Sequence, residues 1–452
     1  MAKCIKRAGI IFFATIVSLL LILGAICTLN IGQNSDNLLD SNNNSSSIAD
    51  TTTYDFDLNG TCAQNKVIWN NAVQQSKDNN GKNVNVKLSV DWKADSKSDG
   101  GTSFGDGIGF DIGRIAVPAG AQITLNLNGH TIDRKLTATY NYGHVLYVNS
   151  GILTIKDTSY NKETAIQTFR NDSANLSKLP FGKITGGNCV GGANGAGIRI
   201  DFGGTLNFYG GIIVGNTATE NGGAIGSVND GYYNIIRIYD GIFMENTAKL
   251  AGGAIAIKAT DTLIMTGGIL YNNDATVNGG GIAVVGNAHR IDISDVIIDN
   301  NFAGAHGGGF AIVGSTSSRL KFSNCEFTNN QILDTGEEYG GGGVYLTANT
   351  ISSFDNCIFN FNWTTEGSFG GGICARDNCS ISINGGEMST NMAGYAGGLY
   401  IGLNANMKLS NLVINDNIAM TGYAGGIAAN SNCASAIMEN VIINGNVSES
   451  YA

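Results

Sequence analysis

Proline is nearly missing from this chain: Pro118 and Pro180 are the only two among 452 residues. With 43% hydrophobic residues and so few interruptions, a large continuous core can be buried. Positive charge is also short. Lys and Arg number 26 against 36 Asp and Glu, a formal net charge of −10, which argues against nucleic acid or an anionic membrane surface as the main partner. Histidine occurs at only four scattered positions, His130, His144, His289 and His306. No HExxH, phosphate-binding glycine loop or CxxC zinc pattern is present, so those chemistries lack their usual carriers. No metal or cofactor is expected.

What the chain has in excess is glycine, 64 residues, and the glycines are periodic. The unit at 239–257, YDGIFMENTAKLAGGAIAI, contains an apolar burst closed by Asn246, then a glycine pair leading to Ile255. The glycine-linked apolar residue recurs at Ile198, Ile225, Ile255, Ile282, Phe310, Val344, Ile373, Leu399 and Ile427, in steps of 26 to 34 residues. The Asn recurs at Asn216, Asn246, Asn273, Asn301, Asn330, Asn362, Asn391, Asn417 and Asn446. A third short alternation lies between them, as in Leu206/Phe208, Ile236/Ile238, Leu263/Met265, Ile291/Ile293, Leu320/Phe322 and Ile381/Ile383. Two markers with one period announce a repeat architecture.

Each repeat thus offers three short runs of period 2, which is strand patterning, while glycine is poor inside helices. Three strands and three turns in about 28 residues make one coil of a right-handed parallel β-helix, each strand pairing with its equivalent about 4.8 Å away. Stacked Asn side chains can bond up and down such a stack, and Asn tolerates a left-handed turn. The Asn ladder is therefore read as structural. Length alone would suggest two or three globular domains. The repeat predicts a solenoid with a distinct N-terminal portion instead.

Residues 1–33 read as a signal peptide or signal anchor: Lys3, Lys6 and Arg7 precede an uncharged run at 8–27, which predicts the N-terminus inside and the remainder exported. The expected location is extracellular or at the cell surface, with any membrane contact through residues 8–27. Residues 34–58, rich in Asn, Ser, Asp and Thr, read as a flexible linker. Thr61 and Gln64 have capping-box spacing, and Ile68, Trp69, Ala72 and Val73 share one helical face, so a short helix is expected to cap the first coil. Residues 59–180 make the N-terminal cap and irregular coils, with strands at 84–90, 121–133 and 144–157; the regular coils fill 181–452. The last copy stops before its glycine pair, which predicts a longer product or a partner over the final coil.

Seven of the nine cysteines lie beyond the targeting segment, which holds Cys4 and Cys27. Cys325 and Cys357 occupy one offset in adjacent coils, about 5 Å apart by stacking, either as a disulfide or as thiols filling ladder positions. Cys379 and Cys433 also share an offset but lie two coils apart, about 10 Å, too far to bond. Several Asn-x-Ser/Thr triplets, such as those starting at Asn59, Asn171, Asn175 and Asn362, are glycosylation acceptors in a eukaryotic secretory route.

GGAI at 222–225 and 252–255, with Phe-x-x-Asn at 243–246, 327–330 and 359–362, resembles the repeats of the polymorphic outer-membrane proteins of chlamydiae and related adhesins. Many copies here carry GGGI or AGGI instead. The likeness covers about 181–452, and it implies a surface-exposed β-helix used in adhesion. NLNGHTI at 126–132 is similar to the opening coils of pectate-lyase-like β-helix proteins.

The expected function is a non-catalytic adhesin or surface-display spacer whose partner is a glycan or protein of a host or neighbouring cell. The alternative is a polysaccharide lyase or glycoside hydrolase, which needs carboxylates clustered on one face. The acids in view are Asp295 with Asp299, Asp230 with Asp240, and Asp201 beside Arg199; they recur at no common rung and read as solvated surface acids. His306 reads as turn-exposed, and GDGIGFD at 105–111 is a single glycine-aspartate turn of a kind that binds Ca²⁺ in arrays. No catalytic residue is assigned.

Overall fold

The computed structural model describes residues 53–96, 102–103, 114–190, 194–227, 232–258, 260–288, 290–314, 318–334 and 339–449. The expected leader, most of the linker, the glycine-aspartate turn, Asp230 and His289 lie outside the described residues. Among the described residues no helix is long and apolar enough to cross a membrane.

The first helix, α1 (Cys62–Asp78), starts where its capping box places it: Thr61 N donates to Gln64 Oε1 at 2.8 Å, and Gln64 N donates back to Thr61 Oγ1 at 3.4 Å. Its buried face carries Cys62, Trp69 and Ala72, which join the same core as Leu58, Val84 and Val86 of the first strands. Trp69 Nε1 donates to Ala116 O at 2.9 Å, so the helix is pinned across the opening coil. The linker ends earlier than its composition implies. Phe56–Leu58 is a strand in register with Val86–Leu88, and Leu58 is buried. An apolar alternation of three residues is too short to stand out beside a polar run.

Beyond α1 the chain winds as a parallel β-solenoid. Coils of different length keep one register: Ile225 pairs Ile255, Ile255 pairs Ile282, and Phe310 pairs Val344. The three expected strands of each coil are present, and a two-residue fourth follows the ladder Asn, as at Thr247–Ala248. The glycine-linked row stacks eleven strands, from Ile115–Val117 to Ile427–Ala429. Two strands, Ile351–Asn360 and Ser380–Ser389, run straight through the first two rows. Because strand side chains alternate, one residue in two points inward, and Leu206, Ile236, Leu263, Ile291 and Leu320 form one buried ladder. Phenylalanines stack in the same way: Phe322 on Phe354 at 4.8 Å and Phe327 on Phe359 at 5.2 Å, both with rings within 5° of parallel.

The Asn turn works by division of labour. Each ladder Asn from Asn216 to Asn417 gives its amide to the next Asn Oδ1 and accepts from the coil before, as Asn246 Nδ2 does to Asn273 Oδ1 at 3.1 Å. The same Oδ1 takes the backbone N–H one coil below, as Asn246 N does to Asn273 Oδ1 at 3.1 Å. The left-handed residue is not the ladder Asn, as expected, but the one before it: Gly215, Glu245, Asn272, Asn300, Asn329, Phe361, Thr390, Asp416 and Gly445 all have φ between 53° and 66°. A left-handed step turns the chain so that the following amide faces along the stack. At the glycine corner the two glycines also differ. Gly252 needs its φ of 67°, whereas a Cβ on Gly253 would overlap the carbonyl oxygen of Gly280 in the next coil.

One element has no counterpart in the repeat. Helix α2 (Lys162–Asp172), continued by a 3₁₀ turn at Ser173–Lys178, packs Ala165 and Leu176 on the outer side of the second row, over Ile212, Ile242, Met244, Ile269 and Ile297. That outward ladder is apolar where the helix lies over it. Tyr160 donates to Asp240 Oδ1 at 2.7 Å, Lys162 pairs Asp240 at 3.3 Å, Ser173 Oγ donates to the Tyr271 hydroxyl at 2.9 Å, and Arg170 pairs Glu326. At the other end of the described solenoid, Met438 and Ile443 are 47% and 51% exposed, while Leu409 and Ile414 one coil earlier are fully buried.

Candidate functional site

The acids singled out by the sequence do not converge. Asp240 is held by Tyr160 and Lys162 under α2. Asp299 accepts from Thr328 Oγ1 at 2.6 Å and Asn329 Nδ2 at 2.7 Å, while Asp295 accepts from Asn324 Nδ2 at 3.2 Å. Asp201 takes Arg199 Nε at 2.8 Å and Nη2 at 2.7 Å. The expectation of solvated acids fails for Asp201, Asp240 and Asp299, which are buried. Stacked coils cover each other's outward side chains, and each carboxylate takes donors from its own or neighbouring coils, though Asp201 Oδ1 is left buried without a hydrogen bond. Burial pushes the Asp299 carboxyl above its ordinary range against the bonds from Thr328 and Asn329. Among the described residues no group of three or more His, Cys, Asp or Glu is placed to hold a metal ion.

Arg199 and Asp201 belong to a covered cluster on the first coils. His144 Nδ1 meets Gly195 O at 2.9 Å, so that nitrogen carries the proton, and Arg199 Nη1 lies 3.4 Å from Nε2. Arg114 stacks 4.0 Å over the Tyr147 ring. Burial, reinforced by Arg199, Arg114 and Arg134, holds His144 well below the usual imidazole range. His144, Tyr147 and Asp201 are all buried, so this cluster is a packed joint between coils. His130 lies apart, 3.6 Å from Asp91.

Cys325 and Cys357 are vertical neighbours, one place before the paired Glu326 and Ile358, and both are buried free thiols. Cys325 Sγ donates to Ser323 O at 3.3 Å and Cys357 Sγ to Asp355 O at 3.6 Å. Asn362, which opens one of the glycosylation triplets, is a ladder residue: fully buried, it spends its amide on Asn391 Oδ1 at 2.9 Å and Phe327 O at 2.8 Å. A glycan cannot be attached there without dismantling the turn, whereas Asn59 and Asn171 are exposed.

The site that the structure does assemble lies on the glycine corner of the later coils. In the glycine-linked row the second residue of each strand points outward. Its ladder runs Gly226, Ala256, Ala283, Ala311, then Tyr345, Cys374, Tyr400. The small residues sit under the glycine corner, where larger ones would collide. From Tyr345 onward the ladder turns aromatic, and so does the corner beside it. His306 stacks on Tyr345 at 4.1 Å and meets Tyr339 edge-on at 5.4 Å. Phe369 lies 4.3 Å from Tyr400 and 4.9 Å from Tyr395, and Tyr395 lies 5.1 Å from Tyr423. Tyr423 is 72% exposed; Tyr339, Phe369, Tyr395 and Tyr400 are half-buried.

One cation stands in this strip among the described residues. Arg376 follows Ala375 at the end of its strand, two places after Cys374 and so on the same face, with the outward Tyr345 and Tyr400 on the adjoining coils. It has no carboxylate within ion-pair distance among the described residues. Asp377, its neighbour, is engaged by the Leu403 N–H at 2.9 Å. His306 is not turn-exposed as expected; it is half-buried, and burial with the nearby Arg376 lowers its pKa to about 4, so it is neutral at pH 7. A weak signal for this strip was in the sequence: an aromatic residue or His precedes the glycines at 306, 339, 369, 395 and 423, where earlier coils have Asn221, Ala251 and Asn278. Periodicity marks what repeats, and the strip is where the repeat changes.

No curated protein and no solved structure matches this chain. Residues 294–451 match the family of the right-handed β-helix region, the coils that carry the aromatic strip, in agreement with the parallel solenoid of the whole described chain.

Proposed function

We propose that the chain is a non-catalytic recognition solenoid, a secreted or cell-surface adhesin, which binds a glycan or protein of a host or neighbouring cell through the aromatic corner of its later coils. The observation that carries this reading is the strip from His306 to Tyr423: rings in contact, partly open to solvent, with one guanidinium beside them that has no ion pair among the described residues. Tyr and Arg are the residue types that dominate recognition surfaces, because each offers a large area with a polar end at small entropic cost. The rigid stack beneath holds them at fixed spacing. The acids that a lyase or hydrolase would use are instead satisfied separately, in different coils.

The test compares the purified protein with its Tyr400→Ala/Tyr423→Ala variant. Saturable binding to cells that falls at least tenfold in the variant, with an unchanged melting profile, is the expected result. Incubation with a polysaccharide panel, with and without Ca²⁺, decides the competing reading: release of unsaturated or reducing ends overturns the adhesin. Protease shaving of intact cells tests surface exposure directly.

A further inference from the structure

Resting on the recognition reading, we propose that Arg376 is the anchor of the strip and that its ligand is a linear glycan carrying an isolated oxyanion, a carboxylate or sulfate, on an otherwise neutral chain. Three observations lead there. First, Arg376 is half-buried on the outward face it shares with Cys374, and no carboxylate lies within ion-pair distance of it among the described residues. A guanidinium partly withdrawn from water with no directly bound carboxylate keeps its forked donors for a planar carboxylate or a sulfate face. The carboxylate nearest in sequence, Asp377, accepts from the Leu403 N–H of the next coil at 2.9 Å.

Second, the charge is solitary. Along the ladder of Arg376, the preceding positions are Thr347, Val313 and Val285, and the next cation is Lys258, four coils away. Four coils at about 4.8 Å separate the two charges by roughly 19 Å, beyond a Debye length at physiological salt. A densely charged polymer would meet one cation and the field of a chain with net charge −10. A single acidic group on a neutral chain meets attraction at the anchor and little repulsion elsewhere.

Third, the strip is narrow and long. It is one ladder and its adjoining corner wide, and it follows the solenoid from Tyr345 through Tyr400 to Tyr423. A globular partner needs on the order of 800 Å² on each side. A linear chain needs only a row of ring faces, edges and hydroxyls, which Phe369, Tyr395, Tyr400 and Tyr423 supply.

The experiment measures equilibrium binding of the full chain to oligosaccharides with one acidic residue each: a terminal sialic acid, a single glucuronate and a single sugar sulfate. Each is paired with its carboxyl-reduced or desulfated counterpart. The expected result is saturable binding of at least one acidic member, at least tenfold weaker for its neutral counterpart. Arg376→Gln is expected to erase that difference, Arg376→Lys to restore it in part, and both to melt like the parent. Which member binds separates carboxylate from sulfate. Equal binding of the charged and neutral forms, or an Arg376→Gln protein that still discriminates, overturns the oxyanion anchor while the recognition reading stands. Tyr423-dependent binding of an acidic peptide with no glycan bound overturns the glycan. Failure of every panel member at millimolar concentration overturns the proposal, and the cell-binding comparison above then judges the recognition reading independently.

Discussion

Thr390 is a β-branched residue held at φ 56°, in the position that Asn occupies at Asn272, Asn300 and Asn329. A left-handed backbone costs an ordinary L-residue roughly 1–2 kcal/mol, and Asn recovers part of that through local bonding. Thr390→Asn is therefore expected to stabilise the protein by about 1 kcal/mol, read as a higher denaturation midpoint with unchanged slope. Asp261 offers a second residue-scale test. Burial raises its carboxyl to about 6 despite bonds from the Ser227 hydroxyl and the Asn234 and Lys258 amides. The folded pKa lies above the unfolded value, so the ionised form penalises the fold. That penalty, on the order of 3 kcal/mol at pH 7, is relieved as pH falls through 6 toward 4. Asp261→Asn is expected to raise stability at pH 7 and to remove this group's share of the pH dependence between 7 and 4. His306 works in the opposite direction: its folded pKa is depressed, so acid below about pH 6.5 destabilises the aromatic strip.

At the scale of elements, the helix α2 and the helix α1 do different jobs. Helix α1 closes an end, whereas α2 covers a side. Its removal would leave Ile212, Ile242, Met244 and Ile269, now buried, facing water as a contiguous apolar stripe. Replacing residues 161–179 by a Gly-Ser linker is expected to leave the β circular dichroism intact, to increase binding of a hydrophobic dye and to promote self-association on gel filtration. A variant that stays monomeric and dye-silent would show that α2 is dispensable packing. The amphipathic signature of α1 was readable because its capping box is local. Helix α2 was not read, since its buried face is short, Ala165 and Leu176, and the stripe that receives it lies 36 to 132 residues further along the sequence.

For the molecule as a whole, stability in a solenoid is a sum of coil and neighbour terms, so the same substitution should cost more in the middle than at an end. Asn301 takes part in four ladder bonds: it donates to Leu270 O and Asn330 Oδ1, and accepts from the N–H and amide of Asn273. Asn301→Ala strands those buried groups and is expected to cost about 3 kcal/mol or more. Asn446 makes equivalent bonds to Asn417 but is half-exposed, so water replaces much of what Ala removes and the expected cost is about 1 kcal/mol. Equal losses at the two sites, measured by denaturant titration, would mean the coils do not unfold as neighbours of graded exposure.

Period, strand patterning, the Asn and glycine ladders and the α1 cap were all present in the order of residues, because each follows from contacts within a coil or between matching positions of adjacent coils. Folding in three dimensions decided the rest. It buried Asp201, Asp240 and Asp299, which look like surface acids when written in a line. It also gathered His306, Tyr345, Phe369, Arg376, Tyr400 and Tyr423 into one strip. Stacking at about 4.8 Å turns separations of 26 to 34 residues into van der Waals contact. Which outward side chains meet therefore depends on how each coil spends its extra residues, and no local pattern records that.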